Sequence, residues 1–454
     1  MKRVVILGGG YVAVEAYRGL CRRLGNQLGQ SVEVVVISSQ NLLPFHGFTP
    51  EVLSGILLAA HTLIPLRQML PKANLIHGTA KTVDLVHQTV TVQLAEHLET
   101  IGYDHLLFAT GSRDPFERLR GLQEHGWRLK SVDDMLALRH HLVGVLKEAE
   151  ATSDPKQLEQ LLNFVIVGAG FAGVEMCAAV ADWLKSAKRH YPVLTEHQAK
   201  ISLVHSGTQI LEVLRPQFAK LADHASQTLE RCGVQLVLSA RVAEVTPWGA
   251  WLEDGRFLTS STVIATAGTS LTAMPGTETL PRDARGRIMT DQNLNVQGYA
   301  NLWVGGDTAQ VKYPSQTGDC PSNALFAMKH GMTTGDNIAR SLQAQPLRRF
   351  AFKGMGQAAS LGMGRGIAEL HCIQFTGVLA WIMRLGFFIW YMPSKRQGLQ
   401  VLLDWLLLPI NGRQMISPTS PGRKTQVISA LPAHQLEPQL VPIRSSSTMA
   451  LWNE

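Results

Sequence analysis

Two glycine-rich turns of one type stand 160 residues apart in this 454-residue chain, and each has the composition of a phosphate cradle. The first reads Gly8-Gly9-Gly10-Tyr11-Val12-Ala13 after the apolar run Val4–Leu7. The second reads Gly168-Ala169-Gly170-Phe171-Ala172-Gly173 after Phe164–Val167. In G-x-G-x-x-G/A the first glycine makes the bend, and the second lets the backbone approach a pyrophosphate. The third position must be small so that strand and helix pack closely. The helix that follows aims free N–H groups and a positive dipole end at the phosphates. Two such turns point to two dinucleotides held at once. A flavin and a nicotinamide are the usual pair, because a hydride can pass between them. Taken singly, either turn also suits a glycine-rich connection in an ordinary α/β domain.

The elements around the turns follow from hydrophobic period. The first turn leads into a helix over residues 11–24, and Val32–Ile37 reads as the next strand. An acid often ends that strand to hold a ribose hydroxyl; here Ser38-Ser39 stand there, so a hydroxyl or backbone groups must serve. Residues 44–55 are a Pro/Gly-punctuated loop leading into a helix, and Leu106–Phe108 runs into Ala109-Thr110-Gly111. Glu148–Leu162, with Asp154-Pro155, marks a boundary ahead of the second turn. Beyond it, Ile201–Val204 ends in His205-Ser206, where an acid would select the unphosphorylated nicotinamide ribose. A pair without a carboxylate tolerates a 2′-phosphate, so this spacing predicts a weakened preference for NADH and use of NADPH. Thr262–Ala265 runs into Thr266-Ala267-Gly268. Asn301–Val304 runs into Gly305-Gly306-Asp307, which suits a hydroxyl-rich ligand or a plain Gly-Asp turn.

Composition narrows the class. The net charge of +7, from 42 basic and 35 acidic residues, suits phosphate-bearing cofactors or an anionic membrane surface. It is not clustered as nucleic-acid binding requires. Cys21, Cys177, Cys232, Cys320 and Cys372 form no C-x-x-C or close pair. A disulfide framework, a zinc site and a redox-active disulfide beside a flavin are therefore not expected, and no metal site is. The first strand begins by Arg3, which leaves no room for a signal or transit peptide.

Near the C-terminus, residues 373–392 are apolar enough to raise a transmembrane reading. Arg384, near the middle, argues against it at a cost of about 2.5–3.5 kcal/mol. Trp381, Arg384, Phe388 and Tyr391 share one helical face, as interfacial anchors would, with Lys395 and Arg396 next to supply cations for headgroups. Residues Gln397–Ile410 put Gln397, Gln400 and Asp404 on one face and Leu399, Leu402, Leu403 and Leu406 on the other. The pair reads as a monotopic anchor or an apolar homodimer interface, with two core helices as the plainer alternative. After about Ser417 the chain lacks periodicity and reads as a disordered tail.

In sum these motifs resemble the two-dinucleotide flavoprotein family, and more closely the type II NADH:quinone oxidoreductases, over roughly residues 1–416. The resemblance rests on the ordered set Val14-Glu15-Ala16 after the first turn, Ala109-Thr110-Gly111, Val174-Glu175 after the second turn, Thr266-Ala267-Gly268, Gly306-Asp307 and the block Met355–Arg396. It implies an α/β fold with two Rossmann-like dinucleotide-binding domains and a C-terminal amphipathic helical membrane-anchoring segment. The corresponding boundaries are 1–115 and 273–346 for FAD, 116–272 for NAD(P), 347–416 for membrane association and 417–454 for the tail.

The resemblance implies that Gly8, Gly10, Ala13, Ser38, Thr110, Gly111, Gly306, Asp307, Ala324 and Leu325 hold FAD. It implies that Gly168, Gly170, Gly173, His205 and Gly268 hold NADH or NADPH, and that Glu175 lies near the nicotinamide–flavin stack. Glu175 could orient the nicotinamide, relay protons, or simply interact with the helix dipole. One departure is plain. The family's quinone-site pattern A-Q-x-A-x-Q-x-G becomes Ala324-Leu325-Phe326-Ala327-Met328-Lys329-His330-Gly331, so both glutamines are lost. Lys329 could donate to a quinone carbonyl, stabilise a reduced flavin, or lie solvated on the helix. The implied activity is NAD(P)H oxidation through FAD to a quinone, without proton pumping, at the cytoplasmic face of a bacterial-type membrane. A soluble flavin reductase for another acceptor and a non-enzymatic redox sensor remain the alternatives.

Overall fold

The structure is a computed structural model that describes residues 1–114, 119–266, 268–314 and 317–414. The tail from 417 and Ala267 of the Thr-Ala-Gly motif lie outside the described residues.

Two all-parallel sheets organise the α/β chain. The first runs in the order Leu302–Val304, His105–Phe108, Lys2–Leu7, Val32–Ser38, Asn74–His77. The second runs Val234–Val237, Lys200–Val204, Asn163–Val167, Thr262–Ala265. The strands are near-continuous Val, Ile and Leu because helices and crossing segments cover both faces. In each sheet the strand ahead of the glycine turn is flanked by the next strand on one side and by a much later one on the other. That is a topological switch point, where a doubly wound sheet opens a crevice at the carboxyl ends of its strands.

Each sheet is accompanied by a three-stranded antiparallel meander, Thr79–Gly102 and Val242–Thr259. The helix Tyr11–Leu24 packs against Ala324–Leu342 at unusually short range. A Cβ on Gly331 would stand 2.4 Å from the Val12 carbonyl oxygen, and one on Gly335 would stand 2.1 Å from that of Ala16. Glycine at both positions brings the later helix down on the first turn. The two halves also join directly, since Arg113 and Ser270 exchange backbone hydrogen bonds at 2.8 Å.

The C-terminal region differs from the single apolar helix expected from residue 373. Ile373–Thr376 is a strand paired with Gly366–Leu370, and the helix is Gly377–Tyr391. Ile-Gln-Phe-Thr alternates, and the edge of that small sheet takes it as a strand. The remaining 15 residues span about 22 Å, short of a roughly 30 Å hydrocarbon core. No helix among the described residues is long and apolar enough to cross a membrane.

Candidate functional site

Both turns have the geometry their sequences require. Gly8 and Gly168 take φ of 111° and 107°, the left-handed side that a side chain resists. A Cβ on Gly8 would stand 2.3 Å from the Ala109 oxygen, and one on Gly173 only 1.7 Å from the Gly168 oxygen. These positions are glycine because the protein needs them to be. Gly10 and Gly170 are different. They cap the helices Tyr11–Leu24 and Phe171–Ala187 with extended backbone, and a Cβ on either would meet no heavy atom within 4 Å. Neither helix has an acidic residue in its first turn or a side-chain cap. Glycine at these two positions leaves room for a ligand's phosphates, so the residues present fit a dinucleotide at each turn.

Around the first turn the structure gathers most of the expected positions. Ala13 is fully buried under the bend. Gly111 (φ 64°) and Gly306 (φ 69°) shape the neighbouring strand ends. The Thr110 and Thr308 hydroxyls lie 3.1 Å apart, and Thr308 also donates to the Gly111 carbonyl. Asp307 accepts a 2.5 Å hydrogen bond from Ser112, whose oxygen accepts from Lys130. Ser38 is more committed than expected: its hydroxyl donates to the Gln40 carbonyl and accepts the Gln40 N–H, which leaves one lone pair free.

The imidazole of His330 accepts the Gly306 N–H through Nδ1 at 3.2 Å, so its proton sits on Nε2. Burial pushes this ring down to about 3, and it stays neutral at any physiological pH. Ala324 is exposed and Leu325 half-buried at the start of the same helix. The Lys329 ammonium lies over the Phe352 ring, 5.3 Å from its centroid.

At the second turn, Thr266 donates to the Val167 and Gly168 carbonyls, and Gly268 takes φ 76°. His205 ends its strand with its N–H on the Val237 carbonyl.

Glu175, in the helix Phe171–Ala187, reaches a buried ion cluster that sequence spacing could not reveal. Arg384 Nε lies 2.8 Å from Glu175 Oε1, which also accepts the Ser360 N–H at 2.8 Å. The same guanidinium donates to Glu51 Oε1 at 2.6 Å and to the Gly47 carbonyl at 2.8 Å, and lies over the Phe388 ring. Glu51 Oε2 is buried without a hydrogen-bond partner. Burial holds the Glu175 carboxyl above the ordinary carboxylate range against the opposing pull of Arg384, so it keeps its proton to higher pH than a free glutamate.

This corrects the reading of Arg384 as an interfacial anchor. It is 2 % exposed, and the face it shares with Trp381, Phe388 and Tyr391 turns inward. Trp381 packs edge-on against Trp405, and Tyr391 donates to Met355 Sδ. A lone arginine inside an apolar helix was the available signal, since a buried cation must find an anion.

The opposite face is the exposed one. Val378, Leu379, Ile382 and Trp390 lie open on this helix, and Leu399, Leu402, Leu403, Leu406 and Ile410 on Lys395–Asn411. The polar face of the latter turns inward, where Asp404 accepts from the Leu58 N–H and pairs with His61.

The sequence pattern of the pyridine nucleotide-disulphide oxidoreductases matches residues 2–331. The type II NADH:quinone oxidoreductase Ndh of Mycobacterium tuberculosis is 27% identical over 430 residues, covering 91% of this chain and 89% of its own. The demethylphylloquinone reductase NdbB of Synechocystis is 24% identical, covering 90% of this chain and 96% of its own. In fold, NDH2 from Plasmodium falciparum in complex with NADH superposes with a TM-score of 0.81 at 16% identity, over 91% of this chain and 99% of that one.

Proposed function

This chain belongs to the pyridine nucleotide-disulphide oxidoreductase family, and from that premise we propose that it is an FAD-dependent NAD(P)H:quinone oxidoreductase of the type II kind. FAD lies at the first turn and NAD(P)H at the second. The family's name refers to a disulphide, but this chain has no cysteine pair of the C-x-x-C kind to accept electrons from a flavin. A quinone is the acceptor that suits the apolar C-terminal helices, and the relatives named above reduce quinones by their names.

The observation that carries the proposal is the Glu51–Arg384–Glu175 cluster. Arg384 belongs to the helix with the exposed apolar face, and its guanidinium touches the carboxylate of the second-turn helix. The lipid-suited element and the nucleotide element meet at one buried contact.

A flavin held at the first turn by Gly8, Gly10, Thr110, Gly111 and Asp307 would supply the redox chemistry, hydride acceptance from a nicotinamide and electron delivery to a quinone. The chain supplies position and charge. Gly10 and Gly170 bring backbone N–H groups to the pyrophosphates, and Asp307, fixed by Ser112 and Lys130, offers a carboxylate to ligand hydroxyls. Glu175, held between the Arg384 guanidinium and the Ser360 N–H, is a buried carboxyl whose affinity for a proton is raised by burial. Lys329, whose ammonium lies over the Phe352 ring, is the residue we assign to donate to a quinone carbonyl.

We place the protein peripherally on a membrane through its exposed C-terminal face. Replacing Leu406 and Ile410 by Asp tests this. Co-sedimentation with anionic vesicles should fall at least about tenfold, and kcat/KM for a long-chain quinone should fall with it, while a short water-soluble quinone is reduced as before. Unchanged vesicle binding would contradict the placement.

A further inference from the structure

The strand end expected to choose between the two nicotinamide nucleotides carries His205, yet the fold returns a carboxylate to it. After Lys200–Val204 the chain passes Ser206 and Gly207 and turns back onto the second turn. Leu211 adopts φ 51°, and its N–H donates to the Ala169 carbonyl at 2.9 Å, so this loop is bonded to the middle of that turn. Ile210, Leu211 and Leu214 are fully buried and fix the backbone on both sides of Glu212. From there the Glu212 side chain reaches back over Gly207, where a Cβ would stand 1.9 Å from its Oε1. It stops 3.7 Å from His205 Nε2.

We infer that Glu212 is the residue that selects NADH over NADPH, and the inference rests on the second turn binding the nicotinamide nucleotide. In this fold the adenosine ribose lies beside the end of the second strand, and an acid there accepts from the 2′-hydroxyl. A 2′-phosphate carries about −1.5 to −2 charges at neutral pH and is repelled by the same carboxylate. Sites that welcome the phosphate offer it an arginine. Here the nearby arginines already have anions. Arg215 lies 2.9 Å from Asp223 and donates to the Ile210 carbonyl, and Arg241 faces Glu253. Glu212 is half exposed, as a ligand-facing carboxylate must be. Strand pattern alone points to NADPH at this position. The loop points the other way, because the acid sits eight residues past Val204 and only the fold brings it back.

The test is the binding of NAD⁺ and NADP⁺ to the FAD-loaded protein by calorimetry, with NADH and NADPH kcat/KM alongside. The wild-type chain should favour NAD⁺ by at least about tenfold. Glu212→Gln should narrow that ratio by roughly tenfold (about 1.4 kcal/mol), chiefly through tighter NADP⁺, and Glu212→Arg should narrow it further. Flavin content should not change. A wild-type ratio near one, or a Glu212→Gln ratio equal to the wild type's, would overturn the assignment while the binding of NAD⁺ leaves the nucleotide site standing. Failure of both nucleotides to bind would overturn the assignment and the site together.

Discussion

Gly170→Val yields a folded flavoprotein that no longer binds NAD(P)H, and Gly10→Val yields a folded chain that no longer holds FAD. Both expectations follow from the contrast between glycines within one turn. A Cβ on Gly8 or Gly173 would stand 2.3 or 1.7 Å from a backbone oxygen, so a side chain there is a folding lesion. Gly10 and Gly170 have φ of −80° and −75°, which any residue adopts, and a Cβ on either meets no protein atom. The side chain would occupy only the space a pyrophosphate needs. We expect at least about a hundredfold loss of affinity in each case, near 2.7 kcal/mol. Apo-protein stability should stay within about 1 kcal/mol of the parent. The comparison must use apo protein, because bound FAD itself stabilises by mass action. Flavin absorbance of the purified chain and NADH titration read the two effects separately. Full NADH affinity in Gly170→Val would show that the second turn holds no nucleotide.

Arg384→Met is expected to be the most damaging single change to stability outside the turns. The substitution keeps much of the side chain's bulk but removes the cation between Glu51 and Glu175. Taking one partner from a buried ionic group costs about 3–5 kcal/mol, because an uncompensated charge remains. The cost depends on pH, and its sign can be worked out. Burial already raises the Glu175 carboxyl, and Arg384 opposes that rise. Without Arg384 the folded-state value climbs further above the unfolded one. Such a group binds more protons folded than unfolded between the two values, so stability falls as pH rises through that window. Thermal unfolding should therefore show a small deficit in mild acid and a growing one toward alkaline pH. Adding Glu51→Gln and Glu175→Gln should recover most of the loss, since removing all the charges together is far cheaper than removing one. Equal melting of Arg384→Met and the parent across the whole pH range would contradict the cluster.

The legible part of the chain was the local part. The two turns are read from consecutive residues, and their strands from apolar runs of ordinary length, so the paired α/β organisation was accessible from the sequence. The helix Tyr11–Leu24 fell where its period put it. What stayed hidden was every relation between distant segments. Arg384 and Glu51 are 333 positions apart, and nothing local pairs them. Helical period defines the face containing Trp381, Arg384, Phe388 and Tyr391, but amphipathicity does not say which side meets protein and which meets lipid. Glu212 lies in a loop, beyond the strand end where the acid is ordinarily found. His330 and Lys130 carry no local signal either: the groups they hold, Gly306 and Ser112, are set beside them by the fold.

The central claim is that electrons enter from a nicotinamide at the second turn and leave to a quinone beside the apolar helices. Anaerobic stopped-flow of the FAD-loaded protein in lipid tests it most directly, by mixing first with NADH and then with a long-chain quinone. The account predicts rapid bleaching of the flavin followed by its full recovery on the quinone. Bleaching by NADH with no recovery on any quinone would contradict it.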